Sequence, residues 1–534
     1  GRGPGGAPPP PPAPSRPDKP PPSHKGAPAP PRGSSLPGPY YSFIPEFKGA
    51  AVPGRPPTDA WVTPCFASCQ ASSAATPDAK GSAAAGSLQV QIRCTGAAPV
   101  AAAAGWPAPA CVDTYLLATA SGWKVLRVGK EGAAKLPWGG KGEDQGDLGA
   151  YGVRIFRFPS TLTAAVEAVW QTVELFRAPL SGAGVAKGDA ERNAAFLRDY
   201  AHYDMPPRAK AVVSAPDEAD VGSGDVFGVV RLDGLDPLIM WGTGSRIGHT
   251  AAALRMDDGQ LYVVESQDHT SYWPVGRVQK TPYREWLRLA SAADYNVAWL
   301  PLGEAARQRF NETAARAAFA RWEGLQYGFV NVLWGWIDTP TGNFPWPLHP
   351  QLLMVSLAIL EPLIAKAGKP SLVNQALGQR LGVPLESLGG LNTMGAYALA
   401  RKAGVSFEKL ITLPEQDSWE YPNQTPSGGA GPAMVCNVLV CRLWKAAGLF
   451  GVPFNCAEFT PLDTYQLTAL APPSPEGARG CPGGPPGAPL CQIMGSYTMG
   501  MPTVGTVEPF AGMREGCPST PPDYEDRVKA SGWC

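Results

Sequence analysis

The spacing of apolar positions changes along the chain. In the first third it is two. Leu88–Cys94, Thr114–Ala118, Trp123–Val128 and Val153–Phe158 alternate apolar and polar residues, as half-exposed antiparallel strands do. The Ala/Gly/Ser-rich stretch 71–87 reads as an insertion between such strands. Thr161 caps a predicted helix through Phe176, with Val166, Val169, Trp170, Val173 and Phe176 on one face. A short helix follows at Ala190–Tyr200.

The pattern then tightens. Val226–Leu232 reads as a strand and Ile239–Trp241 as a short apolar piece. The glycine-rich turn Gly242–Gly248 delivers a strand at His249–Met256. Asp257-Asp258-Gly259 is a hairpin signal, and Gln260–Ser266 is the returning strand. A helix begins near Thr281-Pro282, with proline in its first turn, and Tyr295–Leu300 is a strand. Glu304–Trp322 has the pattern of one long amphipathic helix, and residues 351–412 read as a helical, apolar insertion. Within it Leu352–Leu360 meets Glu361-Pro362 and is too short to span a bilayer, so it reads as a buried helix. The clearest helical period lies in Met434–Phe450, with Val435, Val438, Leu439, Leu443, Trp444 and Ala447 on one face and Gly448 as its stop.

These elements predict an α+β chain in five parts: a Pro-rich tail (1–38), a β-rich accessory domain (39–180), a connector (181–220), a domain at 221–460 with a helical insertion at about 340–412, and a cysteine-rich C-terminal wrap (461–534). The tail, with its run Pro8–Pro12, cannot build a core and is expected to be extended and polyproline-like. It reads as a plain linker or as a tether to a cell wall or to a surface glycoprotein partner.

Composition narrows the function classes. The net charge is zero and no basic run stands out, which argues against a nucleic-acid footprint. No transmembrane span is read. The 11 cysteines crowd into two groups, Cys65, Cys69, Cys94 and Cys111 near the start and Cys436, Cys441, Cys456, Cys481, Cys491, Cys517 and Cys534 near the end. No paired CxxC with nearby histidines suggests zinc, and no cofactor motif stands out; the glycine-rich turn lacks the Lys-Ser/Thr ending of a phosphate loop and leads into a strand. Cysteines in Pro/Gly-rich sequence read as disulfides of a secreted or extracellular-surface protein. The sequons Asn311-Glu312-Thr313 and Asn423-Gln424-Thr425 agree with that placement, and the chain opens on Gly1, as a processed chain would.

An odd cysteine count leaves at least one thiol over, or an intermolecular bond. Gly428–Pro432 stops the last helix from running backwards, so Cys436 sits at its N-terminus, where unpaired N–H groups and the helix dipole favour thiolate. The blander reading makes Cys436 half of a disulfide. Cys441 is the rival thiol, five residues on and off another face. Of the five histidines, His24 is in the tail and His349 in a Pro-rich loop, while His202 and His269 compete weakly with His249. The hairpin brings His249, at the start of one strand, to Glu265 near the end of the other, and a His oriented by a carboxylate is the second half of a cysteine-nucleophile site. His249 could also be a satisfied structural histidine, and His269 a second polar partner.

The order Gly224-Asp225, Gly248-His249-Thr250, Tyr262–Ser266, Tyr327-Gly328-Phe329, Gly335–Pro340, Met434-Val435-Cys436 and Cys517-Pro518-Ser519, together with Leu232–Pro237, resembles the circularly permuted NlpC-like, papain-like superfamily, and more closely an uncharacterised secreted eukaryotic family of that class. The similarity covers roughly residues 195–534. The resemblance implies a permuted papain-like fold and a peptidase or amidase with Cys436 as nucleophile, His249 as base and Glu265 as the orienting residue, acting on a peptide, an amide or a lipid ester. Relatives of lecithin:retinol acyltransferase use a second histidine near the third position, which this chain does not obviously provide. Two alternatives remain. One is a non-catalytic extracellular structural protein that keeps the fold. The other is a thioester-forming acyltransferase, for which the aromatic run Tyr327, Phe329, Trp334, Trp336, Phe344 and Trp346 would line an apolar cleft; the same run reads equally as ordinary packing.

Overall fold

The computed structural model describes residues 46–77, 86–97, 112–119, 122–138, 148, 152–158, 187–201, 203–208, 214–270, 272–273, 275–337, 372–382, 393–402, 404, 410, 415–450, 455–472, 481 and 490–507. The Pro-rich tail, the helix expected at Thr161–Phe176, most of the insertion at 340–412, and Cys111, Cys517 and Cys534 lie outside them.

Alternation dictates the first region. Strands β1 (Glu46–Ala51), β2 (Phe66–Pro77), β3 (Gly86–Ala97), β4 (Asp113–Thr119), β5 (Gly122–Val128), β6 (Glu131–Trp138) and β7 (Val153–Arg157) form two antiparallel sheets, ordered β1-β7-β4-β5 and β2-β3-β6. Leu88, Val90 and Ile92 point into a shared core with Trp61, Tyr115, Leu117 and Ile155. The stretch expected as an insertion pairs as β2 for much of its length, because its small residues fit opposite the bulky face of β3: Ala71 and Ser73 are buried, and the Ser73 hydroxyl donates to the Ala51 carbonyl at 2.9 Å. The disulfide Cys69–Cys94 joins directly opposed positions of β2 and β3.

The second region is organised by a six-stranded antiparallel sheet. In chain order its elements are α1 (Lys187–Ala201), β8 (Val226–Val230), α2 (Leu235–Thr243), β9 (His249–Arg255), β10 (Leu261–Gln267), β11 (Arg277–Pro282), α3 (Tyr283–Ala292), β12 (Asn296–Leu300), α4 (Glu304–Arg309), α5 (Glu312–Trp322), α6 (Phe329–Ile337), α7 (Leu372–Leu381), α8 (Thr393–Lys402), α9 (Cys436–Ala446), a 3-10 turn (Cys456–Glu458), α10 (Pro461–Gln466) and β13 (Cys491–Met494). The sheet order is β11-β10-β9-β8-β12-β13. β8 and β12 are buried at every position, as central strands covered on both faces must be. On one face Ala252, Leu254 and Val264 pack with Val438, Leu439 and Trp444 of α9. On the other, Phe227, Val229, Ala251 and Val263 pack with Tyr283 and Trp286 of α3. The chain is thus a mixed α and β protein built on antiparallel sheets.

Three expectations shift. The helix read as continuous over Glu304–Trp322 is two, because Phe310 is extended and the Asn311 side chain caps α5, accepting from the Ala314 N–H at 3.0 Å. The apolar piece at Ile239–Trp241 is the end of a full helix, α2, which Gly244 ends in the left-handed region at φ 68°. The segment after residue 460 was expected to wrap the surface. Instead it supplies β13 to the sheet edge and α10 to the core, because Ile493, Met494, Tyr465 and Leu467 carry buried apolar surface. The connector likewise belongs to this core, through Leu197, Tyr203 and Met205. Among the described residues no helix is long and apolar enough to cross a membrane.

Candidate active site

The register of β9 and β10 creates the site. The two strands pair from Leu261↔Arg255 to Val264↔Ala252 and no further, although β9 begins at His249 and β10 runs on to Gln267. At this end β9 stays paired with β8, as in Val229↔His249, and β10 with β11, as in Gln267↔Arg277. A notch opens between the two strands. The chain entering α9 fills it: the Ser266 hydroxyl donates to the Met434 carbonyl at 2.7 Å, and the Thr250 N–H, released from the ladder, bonds Cys436.

The Cys436 and His249 side chains meet through this notch from opposite faces of the sheet. Cys436 is the first residue of α9, which packs on one face. Side chains alternate along a strand, so His249 shares the other face with Ala251 and Ala253, and Glu265 shares it with Val263. His249 Nε2 is 2.9 Å from Glu265 Oε2, and the Trp286 indole donates to Glu265 Oε1 at 3.1 Å. With Nε2 engaged, Nδ1 is the nitrogen left for Cys436. Cys436, His249 and Glu265 are 2%, 1% and 1% exposed, so this chemistry is screened from bulk water.

Burial pushes the Cys436 thiol up, but the charge of His249, its hydrogen bond and the Thr250 N–H outweigh it and hold the thiol below its ordinary value. Burial pushes His249 down, yet the Cys436 charge and hydrogen bonds to Cys436 and Glu265 raise it to about 9. The two shifts describe one event, the stabilisation of a thiolate–imidazolium pair. The thiol's other neighbour is the Asn437 Oδ1, at a long 3.5 Å. Asn437 is held by its own amide, which donates to the Phe459 carbonyl.

Two glycines make the approach possible. A Cβ at Gly248 would lie 2.4 Å from the Asp236 Cβ, so only glycine lets β9 start against α2. Asp236 is itself fixed, accepting the Arg231 backbone N–H at 2.8 Å and its Nε at 2.9 Å. At Gly328 a Cβ would lie 2.2 Å from the Met434 nitrogen, and the Gly328 N–H donates to the Met434 carbonyl at 2.9 Å. One glycine sets the histidine and the other the cysteine.

The structure brings Cys436, His249 and Glu265 together and places the other candidates elsewhere. Cys436 is the one free thiol among the described residues. Cys441 is bonded to Cys456. His269 is exposed beyond the end of β10, and His24, His202 and His349 lie outside the described residues. Asp225 accepts from the Gly222 and Leu302 N–H groups, the Trp299 indole and Arg307, a structural clamp between β8 and β12. Of the aromatic run, Tyr327 and Trp334 are buried. Burial and then the Cys436 charge push the Tyr327 phenol well above its ordinary value, and Trp334 packs 4.3 Å beneath the Arg380 guanidinium. Phe344 and Trp346 lie outside the described residues. Sequence reasoning missed Thr250, Trp286, Asn437 and Gln267. For Gln267 a signal was present: a carboxamide two positions beyond Glu265 must share its buried face. Among the described residues no cluster of His, Cys, Asp or Glu is arranged to hold a metal ion. No family model, curated protein or solved structure matches this chain.

Proposed function

We propose that this protein is a cysteine hydrolase of amide or ester carbonyls, with Cys436 as nucleophile, His249 as base and acid, and Glu265 as the group that orients the imidazole, on a circularly permuted papain-like, NlpC-like core. The observation that carries the reading is a free thiol at the first residue of α9 beside an imidazole whose far nitrogen lies 2.9 Å from a buried carboxylate, with the opposed shifts of thiol and imidazole in support. The chain order, with the His-bearing hairpin before the Cys-bearing helix, supports the permuted assignment. The Cys436 thiolate adds to the carbonyl carbon, and N–H groups at the start of α9 receive the oxyanion. The tetrahedral adduct collapses as the His249 proton passes to the departing amine or alcohol, leaving a thioester. Water, giving a proton to His249, then releases the acid and restores the thiol.

Replacing Cys436 by Ala tests this against a panel of peptide, isopeptide and lipid-ester substrates. The parent is expected to hydrolyse at least one class, and the variant to lose about a thousandfold or more in kcat/KM. A variant as active as the parent overturns the reading. A second reading, a non-catalytic extracellular protein that keeps the fold, is favoured by the near-complete burial of Cys436 and His249. A native thiol that alkylates no faster than a buried structural cysteine would decide for it. Three disulfides among the described residues fit an oxidising compartment, and Asn311 and Asn423 are exposed, which suits a secreted glycoprotein.

A further inference from the structure

Gln267 is fully buried, yet neither its amide nitrogen nor its amide oxygen has a hydrogen-bond partner. A buried carboxamide left empty on both sides carries a desolvation cost that native structures rarely keep without a use. Its position gives the use. Gln267 is the last residue of β10, two beyond Glu265, and so projects to the same face. His249 is the first residue of β9 and shares that face, and continuing the Val264↔Ala252 register sets Gln267 opposite it across the notch. One residue from His249, the Thr250 hydroxyl is also buried without a partner. The notch therefore holds unmet donors and acceptors beside the reacting pair.

We propose that Gln267 reads the substrate's scissile group and that the group is an amide, not an ester. This rests on the cysteine-hydrolase reading and narrows its substrate class. Both sides of a carboxamide are satisfied at once by a group that presents a C=O acceptor and an N–H donor on the same edge. A primary carboxamide does so, whereas a trans peptide bond points the two in opposite directions. An ester or thioester offers the acceptor alone and leaves the Gln267 oxygen unpaired, which is how sites built around a polar partner reject analogues that lack it.

Two reagents that differ in this one respect test the inference on the intact protein. Iodoacetamide carries a carboxamide and methyl iodoacetate an ester. Each alkylates a thiolate by forming a carbon–sulfur bond as iodide leaves. Rates at Cys436, read by mass spectrometry and divided by those of the same protein unfolded, cancel the reagents' intrinsic reactivity. The parent is expected to favour iodoacetamide by about tenfold, the scale of one buried hydrogen bond, and Gln267→Met to lose that preference. An equal normalised rate for both reagents in the parent, or a preference kept in Gln267→Met, overturns it. If Gln267→Met does not fold, the parent's preference alone decides. If native Cys436 reacts with neither reagent while the unfolded chain reacts with both, the hydrolase reading falls and takes this inference with it. An ester reagent that matches the amide on a reactive native thiol removes only the inference.

Discussion

Two of the buried polar clusters among the described residues are built on opposite rules. In the first, the Arg380 guanidinium of α7 lies between the rings of Trp334 and Trp419, at 4.3 and 5.2 Å, and donates to Glu415 at 2.9 Å. Glu415 also accepts from Tyr421, whose hydroxyl lies 2.9 and 2.8 Å from its two oxygens. Positive and negative charge balance, and a guanidinium facing a carboxylate holds its proton, so none has reason to move. In the second, at the notch, a thiol and an imidazole share one proton, and the Gln267 amide and Thr250 hydroxyl stand empty beside them. Burial is equal in the two places. What separates the two is that the first pairs fixed charges while the second shares a titratable proton.

The largest effect expected from breaking this contrast is on stability, and it belongs to the Arg380–Glu415 cluster. Arg380→Met leaves the Glu415 charge buried without its cation, a change that costs about 3–5 kcal/mol. Urea unfolding measures it. In the fraction still folded, Cys436 should alkylate as in the parent. A variant that loses little stability while the Cys436 rate collapses would reverse the roles of the two clusters.

The next effect is on turnover. Glu265→Gln keeps the shape of the side chain and an oxygen for the Trp286 indole while removing the charge beside His249. A fall in kcat/KM of about a hundredfold, roughly 2.7 kcal/mol, is expected, with a melting temperature close to the parent's. A large drop in melting temperature with unchanged turnover would class Glu265 with Glu415.

How much of this was legible before the structure differs between the two clusters. The hairpin at Asp257–Gly259 fixed the strands that carry His249 and Glu265, and the Gly-rich approach to Cys436 fixed the start of α9, so the three candidate site residues stood in local signals. The Arg380–Glu415 pair had none. Its partners are 35 residues apart and meet only through tertiary packing of an insertion whose apolar pattern reads simply as helix. The break at Phe310–Asn311 was hidden because helical periodicity continues through it, and only the capping asparagine betrays it. β13 was obscured by the glycines and prolines around it, which suggested a loop, while its burial comes from β12 alongside. The notch depends on where a ladder stops, and no single strand's sequence records that.

The finest test separates the two partners of the reactive pair by pH. The Cys436 thiol is held below its ordinary value and His249 is raised to about 9, so the thiolate–imidazolium pair reaches further to the acid side than an ordinary thiolate and persists up to about 9. Alkylation needs only the thiolate. Its rate should fall on the acid side, as the thiol takes up its proton, and gain less between pH 7 and 9 than an ordinary thiol, which gains more than about tenfold. Hydrolysis needs the imidazolium proton for the leaving group as well, so it should fall again as the pH rises through about 9 while alkylation does not. In His249→Ala the cation that opposes burial of the thiolate is gone, and the acid limb of alkylation should move up past the ordinary thiol value. Parallel profiles for alkylation and hydrolysis in the parent would mean that His249 gives up no proton in the reaction, and would make the notch a second structural cluster.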